Sequence, residues 1–422
     1  MLSDVAALHR SLVDLLKQQG HVQAPGIEAA FRAVPRHLFL PGVSLDEVYR
    51  DQFIVTKKVD GEGVSSSSQP QIMAIMLEQL ALAPGHRVLE IGAGTGYNAA
   101  LLAHIVGDGG RVVSVDIDED ITEGARAHLA AAGFENVRVI TCDGGFGYPA
   151  EAPYDRIILT VGAWDVAPAW CEQLRTGGRL VLPLTVGGTQ KSVAFERDGD
   201  HLVSASVKEC LFMPLRGAFA PPGGRVPLGS APGLSLWVGD RADVDADATY
   251  ALLCGPRVEV SAGAQATARE VYGGLILWLA LHEPGFCWLE VQGAATDGNP
   301  VPRLFGQAGK FCSAAGVLED TGACFLMRPP GASLPAERVA NPPPFELFVR
   351  GLGDGAPIRR VLDRVADWDA RGRPGTENLR IRAYPIGVRD SPSPDAIVVP
   401  TRWNRLVLDW PGHSGGLGPG AR

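Results

Sequence analysis

Residues 89–103 read LEIGAGTGYNAALLA. A buried strand, RVLEIG (87–92), runs into Gly92, Gly94 and Gly96, and a helix, YNAALLAHIVG, follows at once. Glycine at such a junction permits a tight turn and lets a ligand approach the backbone. A dinucleotide fingerprint, GxGxxG, would need glycine at position 97, where this chain has Tyr97. Without a pyrophosphate to cradle, the helix N-terminus can hold a carboxylate, and S-adenosylmethionine carries one. Taken alone, the turn can equally be structural.

The pattern extends outward in both directions. Toward the C-terminus, RVVSVDID (111–118), NVRVITCDG (136–144), YDRIILTVG (154–162) and GGRLVLPL (177–184) read as strands, with helices at DITEGARAHLAAAG and VAPAWCEQL. KSVAFERDGDHLVSASVKECLFMPL reads as strand, Asp-Gly turn, strand. Toward the N-terminus, QPQIMAIMLEQLAL (69–82) has helical spacing and stops at Pro84-Gly85, and residues 1–63 read as two helices and a loop. Strands alternating with helices imply a parallel sheet covered on both faces, with an antiparallel hairpin at its end.

Ligands of open α/β sheets bind at the carboxyl ends of the strands. Asp116 ends the second strand and can accept from both ribose hydroxyls; Asp118 is close enough to be confused with it, or caps the next helix. Cys142-Asp143-Gly144 ends the third strand, where a carboxylate can accept from an adenine amino group. The three strand ends together point to a cofactor site; the alternative is that both aspartates are caps or turn residues.

The chain has 422 residues, which suggests two or three domains, and 46% apolar against 20% charged residues fits a sizeable core. A formal net charge of −9 argues against nonspecific nucleic-acid binding. There is no apolar run long enough for a membrane span. MLSDVAALHRSLVDLLKQQG reads as an amphipathic helix and not a signal peptide. The seven cysteines are scattered, without CxxC or a disulfide framework, and the nine histidines show no metal spacing. Buried thiols in a cytoplasmic protein, without metal, are the expectation. GAFAPPGGRVPLGSAPG (217–233) reads as a linker. Beyond it, FELFVRGLG, a helix from about Pro357 to Ala370 and LRIRAYPIG suggest strand–helix–strand, TRWNRLVLDW (401–410) an apolar strand with basic edges, and HSGGLGPGAR a frayed end.

Residues 1–216 resemble the protein-L-isoaspartate O-methyltransferases through SSQPQIMA (67–74), VLEIGAGTGY (88–97), VDID (115–118), CDGG (142–145), PYDRIILTVGA (153–163), GGRLVLPL and FMPLRG (212–217), the last matching that family's terminal strand. The resemblance implies a Rossmann-like, S-adenosylmethionine-dependent carboxyl methyltransferase domain (1–216, with N-terminal helices 1–63). It turns VSSSSQPQI (64–72) from a flexible linker into part of a site. Ser68 is the residue it assigns to holding the substrate carboxylate near the transferable methyl, with Ser67 and Ser66 beside it. Cofactor binding is assigned to Gln69, Glu90, Gly92, Ala93, Gly94, Thr95, Gly96, Tyr97, Asn98, Asp116, Ile117, Asp143, Gly144, Thr160 and Gly162. The substrate is assigned to Ser65, Val161, Ala163 and Trp164. The product cofactor is S-adenosylhomocysteine.

A carboxylate is already ionised at neutral pH and needs no general base. Attack on a sulfonium methyl needs mainly alignment and exclusion of water, which hydroxyls and backbone amides supply. Two departures stand out. Ser67 replaces the middle residue of the more usual Thr-Ile-Ser. Trp164 and Asp165 stand where repair enzymes have small residues and proline; Trp164 either lines a substrate pocket or packs. The chain also continues far past the family's housekeeping members, like long homologs that methylate an aspartate of a modified ribosomal peptide (lanthipeptide, graspetide or lasso). That architecture implies an α+β accessory domain at 234–422 that binds the peptide, and an aspartimide or isoaspartate product. Repair of damaged proteins at L-isoaspartyl residues is the second reading, and a catalytically silent peptide-binding protein the third. Of the accessory tryptophans, Trp237, Trp278, Trp288, Trp368, Trp403 and Trp410, some can form a peptide groove and others core. Arg402 and Arg405 either meet an acidic peptide or stand as solvated edge charges.

Overall fold

The computed structural model describes residues 2–229, 233–239, 241, 244–292, 301–307, 310–332, 343–389 and 392–412. The end expected to fray, 413–422, and residues 230–232 of the expected linker lie outside them.

Three helices, α1 (Leu2–Gln18), α2 (Pro25–Ala33) and α3 (Leu45–Val48), open the chain. A hairpin follows, β1 (Ile54–Val59) and β2 (Glu62–Ser67), then α4 (Pro70–Leu80), with Pro70 in its first turn where a missing N–H does no harm. The alternating block comprises β3 (Arg87–Ile91), α5 (Tyr97–Val106), β4 (Arg111–Asp116), α6 (Glu119–Ala131), β5 (Val137–Thr141), β6 (Tyr154–Leu159), α7 (Pro168–Gln173), β7 (Leu174–Val186), β8 (Thr189–Asp198) and β9 (His201–Glu209). Val88, Leu89 and Ile91 are buried on both faces of the sheet, which is why this strand reads as a continuous apolar run. Each such side chain contributes roughly 1.5–3 kcal/mol on burial.

The remainder consists of β10 (Arg225–Pro227), β11 (Leu234–Trp237), α8 (Ala246–Cys254), β12 (Arg257–Ala266), α9 (Ala268–Glu270), which continues through a π-helical turn over Val271–Leu275 into α10 (Ile276–His282), then β13 (Phe286–Gln292), β14 (Phe305–Gln307), β15 (Phe311–Leu318), β16 (Gly322–Met327), β17 (Phe345–Gly353), α11 (Ala356–Ala370), β18 (Arg380–Pro385), β19 (Ile397–Pro400) and β20 (Asn404–Asp409).

Two large sheets result. The first has ten strands in the order β19-β20-β18-β9-β8-β7-β6-β3-β4-β5. β5, β4, β3, β6 and β7 run parallel, and the rest are antiparallel additions. The chain builds outward from β3 to β5, then crosses to place β6 on the other side of β3. That switch opens a crevice above the carboxyl ends of β3, β4 and β6. The second sheet, β10-β11-β13-β15-β16-β17-β12 with β14 on β15, is antiparallel; its helix-covered face holds a separate core around Leu236, Leu289, Phe325 and Trp368. This is the Rossmann-like domain with a β-rich second domain that the sequence implies.

Three expectations change. The segment 1–63 is not two helices and a loop: it ends in a strand, and the serine run forms the return strand of that hairpin. FMPLRG forms no terminal strand, only one bridge between Gly162 and Pro214, in which Gly162 N donates to the Met213 carbonyl and Leu215 N to the Gly162 carbonyl. The accessory part is not continuous from 234 to 422: β18 pairs with β9 through Ala383 and Leu202, so the last three strands belong to the first sheet. The strand–helix–strand reading holds locally, yet its two strands lie in different sheets. The seven cysteines are free thiols, and Cys254 is exposed where burial was expected. Among the described residues, no helix is long and apolar enough to cross a membrane.

Candidate active site

The glycine turn is fixed by backbone bonds. The amides of Gly92 and Ala93 both donate to the carbonyl of Val115, at 2.8 and 3.0 Å, tying the end of β3 to β4. Gly92 has φ +102°, and a Cβ there would lie 2.5 Å from Thr160 Oγ1. That hydroxyl donates to the carbonyl of Gly92 at 2.6 Å. Beneath the turn, Glu90 is fully buried and accepts from Asn98 Nδ2 and Ser114 Oγ. Burial pushes its carboxyl up to about 7, against the pull of those two donors. Glu90 therefore braces the first turn of α5 from below.

Above the turn stands Asp116. Its Oδ2 accepts from the Gly94 amide at 3.1 Å, and burial raises its pKa although that amide works in the opposite direction. The sequence reading chose Asp116 with Asp118 close enough to be confused with it; the structure separates them. Asp116 lines the crevice, whereas Asp118 points away into a cluster with Lys57, at 2.8 Å, and Arg216, at 2.9 Å. The Arg216 guanidinium, then Lys57, hold its carboxyl below the usual range. This cluster ties the β1–β2 hairpin to the far rim of the crevice.

The serines alternate as a strand must. Ser65 and Ser67 are buried, and their hydroxyls accept from Thr56 Oγ1 and from Arg36 Nη2 respectively, both at 3.3 Å. The hydroxyls of Ser66 and Ser68, half-exposed on the crevice, have no partner among the described residues. Arg36 organises this wall. It is buried without a carboxylate, and its two terminal nitrogens donate to the carbonyls of Val48, Arg50, Gln52, Ser67 and Ser68. The unusual Ser67 is thus a ligand of Arg36. Gln69, next in line, donates to Asp51 Oδ2 at 2.8 Å.

At the end of β5 the geometry departs from expectation. Asp143 accepts from Gly145 N at 2.9 Å and from Ala218 N at 2.8 Å, so its carboxylate secures the turn at Gly217–Phe219. Gly217 has φ +85°, and a Cβ there would lie 2.3 Å from Asp143 Oδ2. The start of the expected linker, Gly217–Phe219, is therefore a built turn. Phe219 packs at 5.0 Å on Phe146 and at 4.9 Å on Trp403, which lies 5.3 Å from Trp164. Trp164 Nε1 donates to the Phe219 carbonyl at 3.0 Å. Asp165, buried, accepts from Trp403 N and Asn404 Nδ2, both at 2.7 Å. Trp164 and Asp165, the second departure from the family pattern, thus bind the returning C-terminal segment.

The second sheet turns its other face to the same crevice. Cross-strand rows run Trp237–Trp288 and Ser235–Glu290–Ser313, with Gln292 opposite Phe311. Trp288 Nε1 donates to the carbonyl of Gly188 in the β7–β8 turn at 3.0 Å. The joint cleft measures about 2580 Å³, well above the few hundred to ~1,000 Å³ of a small-ligand pocket. Trp278 and Trp368 are core; Trp410 packs against both cores.

Of the residues singled out from sequence, Ser65–Gln69, Gly92–Thr95, Tyr97, Asn98, Asp116, Ile117, Gly144, Thr160, Val161 and Trp164 line the cleft. Glu90, Gly96, Asp143, Gly162 and Ala163 do not. Glu90 lies below the turn; Gly96 packs against Leu129 of α6; Gly162 and Ala163 pair with Met213, Leu215 and β7. Sequence reasoning missed Arg36, Phe219 and Asn404. Only Arg36 left a trace, as a cation inside the apolar stretch AVPRHLFLPG.

A family model described as protein-L-isoaspartate(D-aspartate) O-methyltransferase matches residues 7–219. The protein-L-isoaspartate O-methyltransferase of Methanopyrus kandleri is 39% identical over 49% of this chain and 90% of its own, and that of Methanoregula boonei 40% identical over 50% and 93%. A solved protein-L-isoaspartate O-methyltransferase structure aligns to 89% of this chain and 96% of its own, at 24% identity and a TM-score of 0.49.

Proposed function

The chain belongs to the protein-L-isoaspartate(D-aspartate) O-methyltransferase family, and on that premise we propose that it methylates an aspartate side-chain carboxylate of a modified ribosomal peptide held between its two domains. The supporting observation is the shared cleft: the serine strand and glycine turn form one wall, and the second sheet's aromatic and polar face forms the other.

S-adenosylmethionine, when bound, supplies a methyl group on a positively charged sulfur. The residues present fit it. The turn at 92–96 has no side chain at Gly92 or Gly94, so a ligand can approach the backbone, and with the amides of Gly92, Ala93, Gly94 and Gly96 engaged, it is the Thr95 amide at the start of α5 that is left for a carboxylate. Asp116 keeps lone pairs for ribose hydroxyls. Ile117 and Gly144 border an adenine, whose amino group faces backbone because Asp143 is engaged. The Ser66 and Ser68 hydroxyls donate to the substrate carboxylate, and Arg36 holds their strand in place. The β1–β2 hairpin and the turn at 217–219 keep water out. Once a methyl ester has formed on the substrate, its own backbone nitrogen displaces methoxide, methanol leaves, and a succinimide closes that water can open to Asp or isoAsp.

The test is to incubate the protein with S-adenosylmethionine and two peptides, following mass and methanol. A modified precursor peptide encoded beside the gene should gain a methyl group and then lose methanol, ending 18 Da lighter than it began, the mass of one water. Turnover of a generic isoAsp peptide alone would establish the second reading, repair, which the names of the relatives near 40% identity favour. Methyl transfer to neither peptide would sink both.

A further inference from the structure

The chain carries a formal charge of −9, yet its cleft is cationic. Among the described residues, seven Lys and Arg side chains line it against four carboxylates. Three of the seven are paired: Arg216 with Asp118, Arg225 with Glu290, Arg269 with Glu377. The other four, Arg50, Lys310, Arg328 and Arg402, have no carboxylate partner among the described residues. Their placement is not random over the walls. Arg50 lies beside Asp51, which holds Gln69 of the serine loop. Arg402 stacks at 4.9 Å on Trp403, itself against Trp164. Lys310 and Arg328 lie farther along the second sheet, Lys310 in the β14–β15 turn and Arg328 just past β16.

Arg328 is the most telling. It is half-buried, lies 4.0 Å over the ring of Phe345, and gives Nε to the carbonyl of Leu304 at 3.1 Å. Burial lowers its pKa, and among the described residues no acidic neighbour offsets that. A partly desolvated guanidinium without a counter-ion is costly unless an anion arrives, and guanidinium is the side chain best shaped for a carboxylate. A cationic cleft in an anionic protein also draws anionic partners by focusing the field.

From these placements we infer that the cleft recognises an acidic peptide, whose carboxylates flanking the methylated aspartate dock on Arg402, beside Trp164, and on Arg328 and Lys310 along the second sheet. This rests on the proposed peptide substrate and names its class. The proposed methyl acceptor, a side-chain carboxylate, favours a peptide over a nucleic acid, which enters the test as the competing polyanion.

The test is a binding measurement, independent of turnover. A fluorescein-labelled peptide with one central aspartate flanked on both sides by glutamates is titrated with the full chain, beside a counterpart carrying glutamines instead. The glutamate peptide should bind at least ten-fold tighter at low salt, with the preference shrinking as salt rises. Arg328→Gln and Arg402→Gln should each reduce that preference several-fold. Lys310→Gln, at an exposed turn, should reduce it less, and it covers the case in which Arg328→Gln fails to fold. Equal affinity for the two peptides, an unchanged preference in the folded variants, or displacement by a single-stranded oligonucleotide of equal charge at the same concentration would overturn the inference. If the preference holds while no peptide is methylated, the recognition stands and the proposed activity falls.

Discussion

The two walls of the cleft are made differently. The catalytic wall is backbone: amides of Gly92 and Ala93 on one carbonyl, glycines where side chains would collide, and serine carbonyls gathered by Arg36. The accessory wall is side chains: a tryptophan pair, a polar row and cations without a carboxylate partner among the described residues, from segments that lie far apart in sequence. A wall of backbone holds what is common to every substrate, and hardly tolerates change. A wall of side chains can be rewritten residue by residue, which suits the part proposed to choose a peptide.

The contrast breaks most readily at Gly92. Alanine there meets both a left-handed backbone and Thr160 Oγ1 at 2.5 Å, strain of about 1–3 kcal/mol. Gly92→Ala should weaken S-adenosylhomocysteine binding by roughly 10–100-fold in calorimetric titration. Wild-type affinity in that variant would mean the wall is not built from backbone. Asp165→Ala tests the seam between the walls. It leaves Asn404 Nδ2 and the Trp403 amide without the carboxylate they share, a loss on the order of 2–4 kcal/mol in urea unfolding. It should weaken peptide binding more than cofactor binding; an equal loss of both would make the seam a general structural prop.

Glu90 gives a smaller, pH-dependent effect. Its folded pKa, near 7, exceeds the ordinary 4.5, so the folded state holds the extra proton in that window. Stability should therefore fall as pH rises from about 5 to 8, by up to roughly 3 kcal/mol. In Glu90→Gln the melting temperature should lose most of that slope; a slope unchanged in the variant would place its origin elsewhere. The weakest expectation concerns Lys191, buried at the join of the two domains with its ammonium 5.3 Å over Tyr272 and no hydrogen-bond partner among the described residues. Burial lowers its pKa, so the unfolded chain binds the proton more readily and stability should rise with pH toward 10. Lys191→Met should be more stable at neutral pH by about 1–2 kcal/mol, with that rise abolished. A destabilised variant would show that the ammonium is held by something other than the ring.

How far the sequence could be read follows the same division. A glycine turn between a strand and a helix announces itself in eight residues, and so did Asp116 and the alternation from β3 to β7. The accessory wall left no such trace. FCSAAGVL and GACFLM are buried almost throughout, so they read as apolar runs that fit helix as well as strand. VSSSS lacks the apolar alternation of a strand, and its pairing with IVTKKV became apparent only in three dimensions. The turn that Asp143 holds was hidden for a related reason: its partner is the amide of Ala218, and backbone amides carry no signature of residue type.

The pairing of β18 with β9 also bears on how such an enzyme can be altered. The second sheet and its helices enter the chain after Phe219, where the turn held by Asp143 ends, and leave it before Arg380, where the chain rejoins the first sheet. They form an insert within a continuous catalytic scaffold. An exchange of everything between those two points for the equivalent stretch of a related protein would transplant selectivity as a cassette. The compatibility rules are few: a β7–β8 turn of Gly187 and Gly188 small enough to meet Ala280 and Trp237, and a tryptophan to bond the carbonyl of Gly188.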